Sequence, residues 1–209
     1  KGSLAVYEKA IEIEPNYALA TQNKALALIG LGRFKEAQPY LERAQKIEPS
    51  DGLKLLLVQL KVELNGPGWK STYRVETENY EVLTSVSKEF AQETAKHLEA
   101  IRRAYDKIFS DIKKPARKYP VWVYEDRSAY HKAGSPPMAG GHYDPRFRKL
   151  VFFKYPKKEE TFKTLYHEAF HQYLQDYVNY APQWFNEGLG DYFGAFQYVR
   201  QEGEEKMNV

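Results

Sequence analysis

A segment near the start of the chain occurs twice, 34 residues apart, and this repeat limits the folds open to the protein. Residues 6–15 read VYEKAIEIEP and residues 40–49 read YLERAQKIEP. Between them, residues 18–31 have the apolar spacing of one helix, which Gly32 ends, and residues 34–47 have that of a second helix. A repeat of this length, made of two helices, predicts an array of stacked helical hairpins.

This repeat resembles the tetratricopeptide repeat over residues 1 to about 65. Five residues in the positions typical of that repeat carry the resemblance: Gly32, Phe34, Ala37, Ala44 and Pro49. The first helix departs from the family pattern, because Thr21, Lys24 and Ala25 stand where Trp, Leu and Gly are usual. The resemblance implies helical hairpins that bind a protein partner or a protein substrate. Since about three repeats are needed for a continuous core, we expect further repeats or the next domain to complete it.

The chain changes character at residues 65–68, whose sequence NGPG is its strongest turn signal. Before this tetrapeptide, residues 53–64 follow helical spacing, and we expect Asp51 to cap their helix. After it the pattern mixes strands with a long amphipathic helix, expected at 73–76, 80–83, 87–109 and 121–124. The prediction is an α+β protein with a helical-repeat segment at 1–65 and a second domain at 66–209.

The last third of the chain alternates between turn formers and apolar periodic segments. Residues 135–145, SPPMAGGHYDP, predict a long loop, and residues 149–154 predict a strand at the edge of the sheet. An extended peptide could pair with such an edge through its backbone. Two helices are expected to close the chain, one over about 158–177 and one that begins at Pro182.

The first closing helix contains the sequence HEAFH, in which His167 and His171 lie one turn apart on one face and can share a metal ion. Glu168 lies about 100° further round the helix, in the position of a general base. Because the chain has no cysteine, a third ligand must come from His, Asp or Glu, and Glu187 is the candidate. Asp191, one turn beyond Glu187, can accept the second N–H of a ligating histidine and fix its tautomer.

HEAFH followed by PQWFNEGLGDYF resembles the gluzincin metallopeptidases, whose pattern is HExxH with a Glu on the next helix. The resemblance covers much of residues 70–209 and implies a thermolysin-like domain with a small mixed sheet and a zinc-binding helix pair. It implies that His167, His171 and Glu187 hold Zn²⁺. Glu168 then activates water for the hydrolysis of a peptide bond in a peptide or protein substrate.

The chain also departs from the gluzincins in ways that bear on its specificity. The Gly-x-Met-Glu-Asn motif of the aminopeptidase branch is absent, and its nearest counterpart is GGHYD at residues 140–144, so we expect an endopeptidase. Asp191 falls where the thermolysin-like NExxxD pattern has its Asp. Many gluzincins continue after the Glu corresponding to Glu187 into a helical subdomain, for which this sequence leaves only about 20 residues. The family also favours an extracytoplasmic bacterial location.

A peptidase needs a hydrogen-bond donor for the oxyanion of the tetrahedral intermediate. His142 and Tyr143, in the predicted loop before the strand, are the first catalytic candidates. Tyr177 and Tyr180, between the two helices that carry the ligands, are the others, and the spacing of these residues does not choose among them.

The charge and hydropathy of the chain bear on nucleic-acid binding, on membrane helices and on the charge of its surface. The net charge of +3 gives no support to nucleic-acid binding, and the longest apolar stretches fall short of the ~20 residues of a membrane helix. Basic residues concentrate in 102–158, including 113–118 and 146–149, which favours a solvated surface or, beside a cleft, a preference for acidic peptides.

The alternative function is a catalytically inactive, metal-stabilised scaffold with protein-binding repeats. Glu168, being Glu and not Gln or Ala, favours a working base.

Overall fold

A computed structural model describes the chain at residues 2–109, 118–178, 181–201 and 204–208. The chain divides into two compact units, Lys1–Trp69 and Lys70–Val209, and the division directly follows the NGPG tetrapeptide at residues 65–68. The first unit is helical and the second combines helices with a sheet, so the fold is α+β. Among the described helices, none combines the length and the apolar character needed to cross a bilayer.

The first unit is made of helices α1 (Gly2–Ile13), α2 (Ala18–Gly30), α3 (Phe34–Ile47) and α4 (Asp51–Asn65). The turn from α2 to α3 needs Gly32, whose φ of 73° is unfavourable for residues with a Cβ. Helix α4 is capped by Ser50, whose side chain accepts a hydrogen bond of 3.2 Å from the backbone N–H of Leu53. The prediction of Asp51 as the cap is therefore wrong, because Asp51 is already the first helical residue.

Alanine and large aliphatic residues form the core of the first unit: Ala20, Ala25, Leu28, Ile29, Ala37, Leu41, Ala44, Leu53, Leu56 and Leu60. Lys24, at a position where the family usually has Leu, is only 8% exposed. Its Nζ lies 2.8 Å from the Tyr40 hydroxyl and 3.0 Å from a carboxylate oxygen of Glu8. A cation is tolerated here because α1 and α3 each supply a partner for it.

The second unit is built on a five-stranded mixed sheet with the strand order β1-β2-β3-β5-β4. Its strands are β1 (Tyr73–Glu76), β2 (Tyr80–Thr84), β3 (Tyr119–Tyr124), β4 (Gly141–Asp144) and β5 (Lys149–Phe153). Strands β2, β3 and β5 are parallel, and β1 and β4 pair antiparallel at the two edges.

The position of β5 corrects a prediction from the sequence. Residues 149–154 were expected at the sheet edge, but β5 lies between β3 and β4, and all of its residues are buried. A continuous apolar run such as LVFF is typical of a strand covered on both faces. At this end of the sheet the edge strand is β4, which lies within the predicted loop at 135–145. Its residues are common in turns, so the sequence did not indicate a strand there.

Two helices, α5 (Lys88–Ile108) and α7 (Lys158–Leu174), pack on one face of the sheet, and the short helix α6 (Arg127–Lys132) contacts the other. Helix α5 begins after Ser87, whose hydroxyl accepts from the N–H of Phe90. The core between the sheet and the two long helices includes Val82, Leu98, Ile101, Val121, Val123, Leu150, Phe152, Leu165, Ala169 and Phe170. This packing fixes α7 against β4 and β5.

The final helix, α8 (Gln183–Gly194), packs against α7 and carries the remaining predicted ligands. An antiparallel hairpin follows it, β6 (Gln197–Gln201) with β7 (Glu204–Asn208), where no strands were expected. Helix α7 ends at Leu174, three residues before the predicted end, so the connection to α8 is longer than the sequence indicates.

Candidate metal centre

His167 and His171 lie one turn apart on the face of α7 that α8 covers. Their Nε2 atoms are 3.0 Å apart, and the two rings are nearly perpendicular, at 83°. Their side chains are only 21% and 12% exposed, because α8 shields them from solvent. Two imidazole nitrogens thus converge on one point, as their spacing predicts.

Glu187, on α8, reaches the same point. One of its carboxylate oxygens lies 3.5 Å from the Nε2 of His167 and 3.8 Å from the Nε2 of His171. Together these residues form a cluster whose ligand atoms all lie within 4.8 Å of one another. Zinc bonds of about 2.0–2.2 Å in a tetrahedral site place ligand atoms about 3.4 Å apart. The observed separations bracket that value, so the donor set fits zinc in both chemistry and spacing.

The opposite ring nitrogens of the two histidines face oxygen acceptors on α8. The Nδ1 of His167 lies 3.2 Å from an oxygen of Asp191, and the Nδ1 of His171 lies 2.9 Å from the Oδ1 of Asn186. These acceptors favour the tautomer with the proton on Nδ1 and a lone pair on Nε2. In these tautomers the two Nε2 lone pairs would face each other at 3.0 Å, an arrangement that a cation between them would stabilise. This is a second reason that the site fits a metal ion.

Asn186 is a functional candidate that the reasoning from sequence missed. Its signal was the NExxxD pattern, in which Asn186 precedes Glu187, but its contact with His171 depends on how α8 docks on α7.

Gly190 is the second residue that the sequence reasoning missed. A Cβ atom at this position would lie 2.9 Å from the Cε1 of His167, closer than real side chains approach. A Cβ atom at Gly188, two residues earlier on the same helix, would meet nothing within 4 Å. The imidazole of His167 therefore packs directly on the backbone of α8, and only glycine at 190 leaves room for it.

Glu168 lies between α7 and the edge strand β4. Its Cγ would be 3.1 Å from a Cβ at Gly141, and the backbone N–H of Tyr143 donates to its carboxylate. Burial raises the pKa of Glu168 to about 7, and the negative charge of Glu187 adds to the shift. Burial also lowers the pKa of His171, which favours its neutral, metal-binding form. A carboxyl group with a pKa near neutrality can both accept and release a proton.

His142 and Tyr143, the first two candidates for the oxyanion donor, are consecutive residues of β4 and point to opposite faces of the sheet. Gly141 contacts Glu168, and alternate residues of a strand share a face, so Tyr143 also faces α7. Tyr143 and His171 line one cavity of about 200 Å³.

His142 lies on the other face of the sheet. Its Nδ1 is 2.7 Å from the hydroxyl of Tyr130 on α6, and burial lowers its pKa to about 4. The structure therefore does not bring His142 together with His167, His171 and Glu187. Successive residues of a strand point to opposite faces of the sheet, so His142 and Tyr143 cannot both face α7. The sequence alone does not give the strand register and could not decide which of the two does.

The remaining predictions fall away from the centre or outside the described residues. The hydroxyl of Tyr177 accepts from Arg102 of α5 at 3.4 Å, which directs it towards α5. Tyr180 lies outside the part of the chain that the structure describes, as do residues 113–117. Lys118, which ends that basic stretch, pairs with Glu76 at 2.8 Å.

Comparison with known proteins bears on the first unit. A tetratricopeptide repeat model matches residues 20–51, which cover most of α2, all of α3 and the start of α4. No curated protein matches the chain. The protein thus carries a tetratricopeptide repeat, which suggests protein-binding helical repeats ahead of a mixed α+β domain.

Proposed function

We propose that the second unit is a zinc-dependent peptidase of the gluzincin type and that the helical repeats recruit its protein substrate or a protein partner. The observation that carries the proposal is the convergence of His167, His171 and Glu187, within 4.8 Å of one another, next to Glu168. A metal cluster without an adjacent general base would fit a structural role equally well, so the position of Glu168 is what favours catalysis.

In this proposal His167 and His171 bind Zn²⁺ through Nε2, and Glu187 binds it through its carboxylate. Asp191 and Asn186 hold the two rings in the orientation and tautomer that binding requires. When bound, zinc supplies a Lewis acid that polarises the substrate carbonyl and lowers the pKa of a water molecule towards about 7.

Glu168 moves the protons of the reaction. Its carboxylate accepts a proton from the attacking water and passes it to the nitrogen of the leaving amine. The N–H of Tyr143 holds one of its oxygens, which restricts the rotation of the side chain. We assign the oxyanion contact to the hydroxyl of Tyr143, because this residue shares a cavity with His171.

Strand β4 provides the place for an extended substrate. Within the described residues it pairs on one side only, with β5. A peptide can add to its free edge through backbone hydrogen bonds. Because this mode needs no free terminus, and because the motif of the aminopeptidase branch is absent, an endopeptidase is the form of the activity that we propose.

Hydrolysis of unfolded casein by the zinc-loaded chain and by Glu168→Gln tests the proposal. Loss of the general base should lower the rate by about 10²–10⁴-fold while zinc stays bound. Glu159→Gln, an exposed change of the same kind on α7, is the matched control and should keep the wild-type rate. Wild type and Glu168→Gln that both bind zinc and are equally inert would instead support the inactive scaffold.

A further inference from the structure

A second cavity, of about 210 Å³, borders Glu168 and His167. Its lining residues are Gly140, Gly141, Tyr155, Lys163, Thr164, His167 and Glu168. It lies along the N-terminal half of α7, whereas the cavity shared by Tyr143 and His171 lies along the C-terminal half. Its volume suits one amino-acid side chain or one chain terminus more than an extended segment.

Lys163 brings a positive charge to this cavity. It lies one turn before His167 on the same face of α7, and its side chain is exposed. Neighbouring lysines of the same segment are paired, Lys157 with Glu160 at 3.6 Å and Lys158 with Glu93 at 2.5 Å. Among the described residues, the ammonium of Lys163 makes neither a hydrogen bond nor an ion pair, so it is available to a ligand.

Tyr155 places a second donor in the same cavity. Its ring stacks on Phe153, with centroids 4.3 Å apart, and its hydroxyl lies against Gly140, where any Cβ would collide with it. The hydroxyl has no hydrogen-bond partner in the part of the chain that the structure describes. The absence of a side chain at Gly140 is therefore what allows this hydroxyl to line the cavity.

Among the residues that line this cavity, the acidic one is Glu168. Glu159 and Glu160, one turn before Lys163 on α7, line a different cavity that Lys163 also borders. Glu168 follows Lys163 by five residues, which is about 7.5 Å along the helix axis. An anion in the cavity would be repelled by Glu168 in its ionised form and attracted by Lys163. Lys163 and Glu168 thus line different ends of the cavity along the axis of α7. We expect an anion to bind at the end near Lys163.

We propose that this cavity binds a carboxylate of the substrate, with the ammonium of Lys163 and the hydroxyl of Tyr155 as its donors. The inference rests on the proposed function, since it assigns the cavity beside Glu168 to the substrate of that site. The carboxylate can be the side chain of Asp or Glu, as the proposed endopeptidase would meet within a chain. It can also be the C-terminus of a peptide, in which case the activity would be that of a carboxypeptidase. Both carboxylates have the chemistry that an ammonium and a phenol recognise.

Binding of paired peptides tests the inference separately from hydrolysis. The full chain with Glu168→Gln, loaded with zinc, is titrated with fluorescent octapeptides of one sequence that end in a free carboxylate or in an amide. A second, amidated set carries Glu or Gln at each internal position in turn. We expect one carboxylate, terminal or internal, to bind about tenfold tighter than its amide. The peptide set in which the acid binds tighter than its amide shows whether the bound carboxylate is a C-terminus or a side chain.

Variants in the same background assign the effect to the cavity. Lys163→Gln is expected to remove most of the preference, and Tyr155→Phe to reduce it. Lys154→Gln, the matched control, removes an exposed lysine that does not line the cavity and should keep the preference. Equal affinities for acid and amide in every pair, or a preference that survives Lys163→Gln, overturn the inference. A retained binding preference in a chain whose wild type cleaves no peptide would contradict the proposed function alone.

Discussion

The Nε2 atoms of His167 and His171 lie 3.0 Å apart, while the Nδ1 atom of each ring faces an acceptor on α8. Both rings belong to α7, and the acceptors on α8 favour tautomers in which the two Nε2 lone pairs face each other, an arrangement that a bound cation would stabilise. If the proposed metal binds here, it should stabilise the packing of α8 on α7, and the first prediction follows from this expectation.

Zinc should raise the stability of the second unit. A ligand present at 100 times its dissociation constant stabilises the folded state that binds it by about 2.7 kcal/mol. We expect added zinc to raise the thermal midpoint of the full chain and a chelator to lower it. Differential scanning calorimetry with and without zinc measures this shift, and magnesium, which prefers oxygen ligands, serves as the control ion. Identical transitions with zinc and with chelator would contradict the prediction.

Asn186 should set zinc affinity through His171. Loss of a hydrogen bond to a ligating histidine commonly costs 10–100-fold in metal affinity. Asn186→Ala should weaken zinc binding by about that factor, and Asn186→Asp, which retains an acceptor, should restore most of it. Competition with a zinc-binding dye measures both affinities. Equal affinities for Asn186→Ala and the wild type would show that the 2.9 Å contact does not orient the ring.

Gly190 and Gly188 provide a matched pair of substitutions. Replacing a glycine inside a helix by alanine is intrinsically favourable by about 1 kcal/mol at either position. Only the new methyl group at 190 would meet the ring of His167, at 2.9 Å. We expect Gly188→Ala to keep zinc affinity and gain stability, and Gly190→Ala to lose zinc affinity at least about tenfold. Zinc titration and urea unfolding of the two variants provide the comparison. Similar values for both would contradict the close packing of His167 on α8.

His97 should make the second unit less stable in mild acid. Burial lowers its folded-state pKa from an ordinary value of 6.5 to about 4, and Lys158 acts in the same direction. Between pH 6.5 and pH 4 the unfolded chain binds more protons than the folded protein. The free energy of unfolding therefore falls as the pH drops from 6.5 towards 4. At pH 5 this amounts to about 2 kcal/mol for His97 alone.

The groups that face His97 complete that prediction. Its Nδ1 hydrogen-bonds with the hydroxyl of Tyr166, its ring stacks between Phe162 and Tyr198, and Lys158 pairs with Glu93 nearby. Urea unfolding of the wild type and of His97→Phe at pH 7.5 and pH 5 isolates the effect, because other titrating groups are common to both. A loss of stability between the two pH values that is the same in both proteins would exclude His97 as its source.

The sequence predicted those features that depend on local spacing. The helix expected at 34–47 is α3 (Phe34–Ile47), and the pair at His167 and His171 needs only the helical period to share a face. The hairpin of β1 and β2 follows from the alternation of its residues. Each of these depends on interactions within a few residues of chain, which composition and period describe well.

Features that depend on docking could not be predicted in the same way. The sequence could not place His142 relative to α7, because this needs the register of β4 on β5, which directs Tyr143 and not His142 towards α7. Asn186 and Gly190 owe their roles to the angle at which α8 crosses α7. Strand β4 itself consists of residues common in turns and is held by its pairing with β5, a contact that no local pattern reveals.

The metal content of the purified full chain tests the central proposal most directly. We predict about one zinc ion per chain by plasma mass spectrometry after purification without added metal. The content should drop in Glu187→Ala and stay unchanged in Glu159→Ala, an exposed acidic residue of α7 outside the cluster. A wild-type chain that holds no zinc even after dialysis against it would contradict convergence of His167, His171 and Glu187 on one metal ion.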